Sequence, residues 1–293
     1  MEMELNPTPQ QRIRTFLEMV KFSHTIFALP FALMAALLAA DGLPSLWKIL
    51  WIIIAMAGAR TGAMGANRLL DAEIDARNPR TKERALPAGL IDAKQVLLLT
   101  CSSYLIFIFA AAMLNSFCLH LAPYIIMVLT AYSIAKRYTI YTHYILGFCL
   151  GLAPVGAWIA ITGSLALTPL VLGFAVGCWV SGFDLLYSLQ DIEFDQEEGL
   201  HSIPAAIGIE QTLALARKLH LGMLGALFFV YLISPALGWL FLLAILAVAA
   251  MLHYEHELLS PTDLTKIDTA FFTVNGYISI TIFIVAALDI FAG

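Results

Sequence analysis

ILGFCLGLAPVGAWIAITG, residues 145–163, is an uncharged run of nineteen residues. Wound as a helix rising 1.5 Å per residue it reaches about 28 Å, close to the hydrocarbon thickness of a bilayer. The pattern recurs along the chain, with apolar stretches near 16–40, 46–67, 95–114, 118–135, 168–187, 212–232, 235–253 and 270–290. The sequence is 60% hydrophobic and 13% charged, with a mean hydropathy of +0.84. A typical soluble domain carries about 25% charged residues. The chain therefore reads as an all-α, multi-pass membrane protein. The expected architecture is about nine transmembrane helices in one bundle around a central cavity, with residues 1–293 forming a single domain. Pro30 is expected to interrupt the first span and Asn115 to close the third. The polar start, MEMELNPTPQQRIR, leads into a full-length span and lacks the pattern of a cleaved signal peptide.

Basic residues predict the orientation, because loops rich in Lys and Arg stay on the cytoplasmic side. Arg12, Arg14 and Lys21 precede or begin the first span, and Arg68, Arg77, Arg80, Lys82, Arg84 and Lys94 fill the second connection. Lys136 and Arg137 follow the fourth span, Arg217 and Lys218 the sixth, and Lys266 precedes the ninth. The intervening connections hold essentially Lys48 alone. This asymmetry places the amino terminus in the cytoplasm and the chain in the inner (cytoplasmic) membrane. The net charge of −5 says little about partners, since location matters more than the sum. No basic patch interleaved with aromatics points to nucleic acid, and no obligate protein partner is expected. Cys101, Cys118, Cys149 and Cys178 stand singly in or beside apolar spans and read as packing residues.

Two acidic clusters stand out against this apolar background, both on the predicted cytoplasmic side. NRLLDAEIDARNPRT begins with Asn67 and carries Asp71 and Asp75; DLLYSLQDIEFDQEEG carries Asp184, Asp191 and Asp195. Four-residue spacing stacks side chains on one helix face, so each run offers a ladder of oxygen donors. Carboxylates at membrane depth are expensive and usually mark function. Magnesium suits such oxygens, keeps several waters and is often shared with substrate phosphates. The neighbouring Arg68, Arg77, Arg80, Lys82, Arg84, Lys136 and Arg137 would supply phosphate contacts, with Lys82 and Lys94 explained as well by topology alone. Acid, metal and base together imply a diphosphate. Glu193, Glu197 and Glu198 read as a solvated loop face.

The ordered set of NRLLDAEID, YSIAK (132–136) and YSLQDIEFD resembles the UbiA superfamily of intramembrane aromatic prenyltransferases, and the resemblance extends through NPRTKERALPAG and GLHS over nearly the whole chain. It implies transfer of a polyprenyl group from its diphosphate to an aromatic acceptor. Two Mg2+ ions are implied, one on Asn67, Asp71 and Asp75 and the other on Asp191 and Asp195. Lys136, Arg137, Arg77 and Arg84 are then implied for the diphosphate, Tyr132 and Tyr187 beside the leaving oxygen, and Asp184 for positioning the acceptor or receiving a proton. The resemblance implies 4-hydroxybenzoate or a related hydroxylated acid as acceptor. KFSHTIFALPFAL, RTGAMGANRLLD and LGLAPVGAWIAITG instead resemble a branch using dihydroxynaphthoate in menaquinone synthesis. His201 stands where many 4-hydroxybenzoate enzymes carry lysine. His24 and Arg60, inside apolar spans, are candidates to meet an acceptor hydroxyl or carboxylate.

Phe148, Trp158 and Phe183 are candidates to steady an allylic cation through their ring faces, and Gly147, Gly151 and Gly156 would allow close packing or a groove. A divalent-cation transporter is the competing class, disfavoured because the acids gather at one membrane face beside arginines. A CDP-alcohol phosphotransferase lacks its glycine and arginine signature here. HYEHE (253–257) lacks zinc-protease spacing and reads as structural or interfacial.

Overall fold

The computed structural model describes residues 9–20 and 27–292, leaving aside the side chains of Pro9 and Arg12. The helices in chain order are α1 (Pro9–Met19), α2 (Leu29–Ala40), α3 (Leu46–Leu70), α4 (Ala72–Arg77), α5 (Ala93–Leu114), α6 (Ser116–Tyr132) and α7 (Thr142–Thr162). They continue with α8 (Leu167–Ser188), α9 (Ile192–Glu197), α10 (Ile203–Ile207), α11 (Ile209–Ile233), α12 (Trp239–Glu257) and α13 (Asn275–Ala292). The described residues contain no β-strand. Among the described residues, seven helices are long and apolar enough to cross a membrane, and two shorter apolar ones, α2 and α6, occupy the places of the first and fourth expected spans. The chain is a multi-pass membrane protein, and the count of nine crossings rests on those two shorter helices.

The first span departs most from expectation. Residues 16–40 do not form one helix: α1 ends at Met19, and α2 starts at Leu29 with Pro30 in its first turn. Proline lacks an N–H, which the first helical turn does not need, so Pro30 helps to start α2 where it was expected to interrupt a longer helix. At the far end of the chain, a single π-helical stretch, Thr269–Val274, precedes α13. Its wide turn is tied down by buried Asn275, whose Nδ2 donates to the carbonyls of Ala270 (3.0 Å) and Phe271 (3.2 Å) and to Glu255 Oε1 (3.0 Å). Trp179 Nε1 donates to Asn275 Oδ1 at 2.5 Å. HYEHE is thereby placed: Glu255 is fully buried, and His256 bonds His220 across 3.0 Å, as a structural role requires.

Helix α8 is the centre of the bundle. Two-thirds (67%) of its apolar window is buried, against 28–39% for the other long spans, and it packs on both α7 and α11. Without a hydrophobic drive between helices in lipid, close backbone approach supplies the attraction. Gly147 and Gly151 provide it: a Cβ on either would run into the carbonyls of Gly177 and Gly173 on α8. Gly156 faces open space, so only two of the three expected glycines pack.

The opposite, predicted outer face is held by polar ties. Lys48 Nζ donates to Leu114 O and Ala160 O, each at 2.7 Å, near the carboxyl ends of α5 and α7. Asn115 closes the third span as expected, donates to Ile159 O at 2.8 Å, and accepts from Cys118 N as the cap of α6. A cation on two sets of unpaired terminal carbonyls satisfies orphan acceptors and both helix dipoles. Lys48→Met is expected to cost about 1.5–3 kcal/mol, the usual worth of hydrogen bonds to a charged group. Unfolding of the detergent-solubilised variant measures the loss, while turnover per folded molecule stays at the wild-type value.

Candidate active site

Helix α3 carries Asn67 at its last turn, and Asp71 is the joint from which α4 carries Asp75. The joint does not break the ladder. Asp71 N donates to Asn67 O (2.9 Å) and Asp75 N to Asp71 O (2.7 Å), so four-residue stacking persists across it. Asn67 Nδ2 donates to Asp71 Oδ2 at 3.0 Å, and its Oδ1 accepts from Arg68. Asp71 and Asp75 are 3% and 4% exposed, which only compensating charge makes tolerable.

That charge comes from the predicted basic residues. Lys136 Nζ lies 2.8 Å from Asp71 Oδ2, and Arg84 Nη1 reaches both oxygens of Asp75 at 2.7 and 2.8 Å. Arg68 lies 3.8 Å from Asp75. Arg137 donates to Leu70 O, with its Nη2 3.9 Å from Asp71 Oδ1. The loop after α4 crosses to the second motif, where Arg80 forks onto Asp191 with Nε–Oδ1 2.9 Å and Nη2–Oδ2 2.5 Å. Asn78 donates to the same carboxylate at 3.1 Å. Burial by itself would lower the Arg80 pKa; its bond to Asp191 and the nearby Asp191, Tyr187 and Asp75 overcome that and raise it. One guanidinium thus feels acids from both motifs.

The remaining predicted residues are distributed around this pair. Tyr187 OH accepts from Arg80 Nη1 at 3.4 Å, and the guanidinium carbon stands 5.4 Å from the ring centre. Tyr132 ends α6, four residues before Lys136, and is half-buried. Asp184 is bonded to His143 across 2.7 Å. Asp195 is half-buried on α9, four residues after Asp191. Arg77 lies farther out than Arg80, its side chain 53% exposed and paired with Glu198. Arg60 donates to Val20 O at 3.3 Å, His201 is exposed, and His24 lies outside the described residues.

From Tyr187 a column of rings leads inward. Tyr187 and Phe271 centroids are 4.2 Å apart, Phe271 and Phe183 5.2 Å, and Phe183 and Trp179 5.1 Å. Phe183 belongs to this wall. Phe148 is 56% exposed on the outside of α7, and Trp158 packs against the core, so neither joins the column. Sequence reasoning missed Phe271, Asn78 and His143. For Asn78 the NPR turn was a usable signal; for the other two, partners lie on distant helices.

Among the described residues no group of three or more His, Cys, Asp or Glu side chains is gathered as around a bound ion. The donor chemistry nonetheless fits a hard cation. Both motifs present carboxylate oxygens, and Asp71 Oδ1 is buried without a hydrogen-bond partner, an orphan that a cation would satisfy.

Comparison with known proteins places this geometry in context. The family model for the UbiA prenyltransferase family matches residues 28–277. Curated relatives include the 4-hydroxybenzoate octaprenyltransferases of Salmonella paratyphi B and Salmonella newport, each 25% identical over 257 residues, covering 88% of either chain. The apo structure of a UbiA homolog from Aeropyrum pernix K1 superposes with a TM-score of 0.83 at 29% identity, covering 92% of this chain and 98% of that one. A UbiA homolog from Archaeoglobus fulgidus, bound to GPP and Mg2+, shares the fold with a TM-score of 0.73 at 18% identity, covering 94% and 99%.

Proposed function

The chain belongs to the UbiA prenyltransferase family and is a membrane prenyltransferase; from that premise we propose that it moves a polyprenyl group from a polyprenyl diphosphate to a hydroxylated aromatic acid in quinone biosynthesis, the acceptor being 4-hydroxybenzoate or dihydroxynaphthoate. One observation carries the reading. Aspartates from two helix ends, Asp71 and Asp75 buried and Asp191 half-buried, are neutralised by Lys136, Arg84 and Arg80, cations of the kind a diphosphate would take over. Asn67, Asp71 and Asp75, and opposite them Asp191 and Asp195, would hold Mg2+, two ions in all. The metal supplies charge neutralisation of the departing diphosphate.

The protein's own groups do the remaining work. Arg80, Arg84, Lys136 and Arg137 turn from carboxylates to phosphate oxygens, with the forked guanidinium geometry suited to them. Tyr187 and Tyr132 stand beside the leaving oxygen. The allylic carbon, cation-like as the bond to oxygen lengthens, lies along the wall of Tyr187, Phe271 and Phe183, whose ring faces attract positive charge and exclude water. Arg60, a cation in an apolar helix that donates to the backbone carbonyl of Val20, would face the acceptor's carboxylate. The site opens to the cytoplasm, the amino terminus lies on the same side, and residues 1–293 act as one catalytic unit.

Purified protein in detergent is expected to release diphosphate when Mg2+, a polyprenyl diphosphate and an aromatic acid are all present. Offering 4-hydroxybenzoate and dihydroxynaphthoate together, with product masses read out, identifies the acceptor. Magnesium flux through sealed vesicles without any isoprenoid would favour the transporter class and overturn the proposal.

A further inference from the structure

His143 opens α7, and the close glycine packing of α7 on α8 brings its Nδ1 to 2.7 Å from Asp184 Oδ2. The imidazole is 5% exposed, and its other nitrogen, Nε2, is buried with no hydrogen-bond partner. A tie between two helices needs Nδ1 alone. It does not explain a second buried nitrogen left unpaired, since such groups nearly always find a partner. A carboxylate can only accept, so Asp184 fixes the proton on Nδ1 and leaves Nε2 with a free lone pair. The pair stands beside the proposed chemistry, because Asp184 lies on α8 between Phe183 and Tyr187, two rings of the wall.

We infer that His143 is a catalytic base for the acceptor, its Nε2 taking the proton of the ring hydroxyl, with Asp184 as the residue that positions it. The inference rests on the prenyl-transfer reading and assigns a residue to it. The hydroxyl proton passes to Nε2, and the oxygen's electron pair flows into the ring. A ring carbon then supplies the pair for the new bond to the allylic carbon, as the carbon–oxygen bond breaks and both its electrons leave with diphosphate. The proton on the alkylated ring carbon departs to water, restoring aromaticity, and Nε2 returns its proton to the ring oxygen. Nothing is oxidised or reduced, and His143 ends as it began. The arrangement follows the logic by which a carboxylate sets the tautomer of a catalytic histidine, here applied to a phenol.

The test compares two acceptors that differ at one atom group: the hydroxylated acid and its O-methyl ether, which has no proton to give. Wild-type protein is expected to alkylate the free hydroxyl compound about a hundredfold faster, the usual size of general-base assistance. In His143→Gln the hydroxyl rate falls by that factor and the ratio between the two acceptors collapses toward one, with the KM for polyprenyl diphosphate unchanged. Asp184→Asn, which keeps the imidazole in place and reverses its tautomer, should collapse the ratio too, and it carries the test if His143→Gln does not fold. A purely structural role would lower both rates alike and preserve the ratio; that result overturns the inference while leaving prenyl transfer intact. If wild-type protein alkylates no aromatic acid at all, the functional reading itself has failed.

Discussion

Asp71→Asn and Asp191→Asn are each expected to lower turnover by about a thousandfold, with nearly normal yields of folded protein. The size follows from losing a ligand of the Mg2+ that would neutralise the departing diphosphate. Each change keeps side-chain volume while deleting one negative charge and turning one acceptor oxygen into a donor. Folding tolerates it because the cations left behind, Lys136 and Arg80, keep 28% and 31% of their side-chain surface in contact with the surroundings and are not sealed in. The kcat at saturating Mg2+, measured beside thermal stability in detergent, checks both halves. Retention of more than a tenth of the wild-type rate in both variants would remove the aspartates from the mechanism. Exposed His253 makes a sound control, and His253→Ala should turn over normally. His256 makes a poor one, since it is buried against His220.

The second large effect concerns binding. Each inner carboxylate is already matched to a cation in the structure, Asp71 to Lys136, Asp75 to Arg84 and Asp191 to Arg80. A diphosphate alone would have to strip those cations from buried or half-buried carboxylates, and Mg2+ alone would leave the cations without partners. Bound together they would exchange partners, with Asp71, Asp75 and Asp191 holding the metal and Lys136, Arg84 and Arg80 freed for the phosphates. Strong reciprocal coupling is therefore expected. Mg2+ should tighten polyprenyl diphosphate binding at least about tenfold, and the diphosphate should tighten Mg2+ binding by the same factor, as linkage demands. Calorimetric titration of the detergent-solubilised protein, with and without a chelator, measures both sides. Equal diphosphate affinity in the two conditions would exclude the exchange. Lys136→Gln should shrink the coupling, because Asp71 then starts without its cation and one phosphate partner is gone.

What could be read from the chain and what could not divide along a physical line. The ladder of Asn67, Asp71 and Asp75 was legible because helical repetition is local: four-residue spacing stacks side chains whatever the rest of the molecule does, and it survives even the joint at Asp71. The bilayer made the long spans legible in the same way, through one-dimensional length and polarity. The first span was misjudged because Pro30 interrupts a helix or starts one depending on where the helix begins. Arg77 and Arg80 look equivalent in sequence; the turn through Asn78 sends one to Glu198 and the other to Asp191. His143 gave no signal at all. It is a lone histidine at the start of an apolar run, and its meaning comes from a carboxylate 41 residues away, across a helix contact that two glycines permit.

The π-helical turn at Thr269–Val274 has a consequence for the length of the chain there. A wide turn contains one residue more than an α turn of the same reach, and each residue of an α-helix advances the side chains by about 100°. Asn275 anchors the following helix to Trp179 and Glu255, while Asp289, near its other end, accepts from the amides of Gly238 and Phe241 at the start of α12. Those two anchors share one uninterrupted helix and so keep a fixed phase. Deleting a single residue between 269 and 274 would leave an α turn in place of the wide one, and Phe271 and Phe272 would take new positions relative to Tyr187. The extra residue of the wide turn thus sets where Phe271 and Phe272 meet Tyr187, although the segment lies outside the acidic motifs.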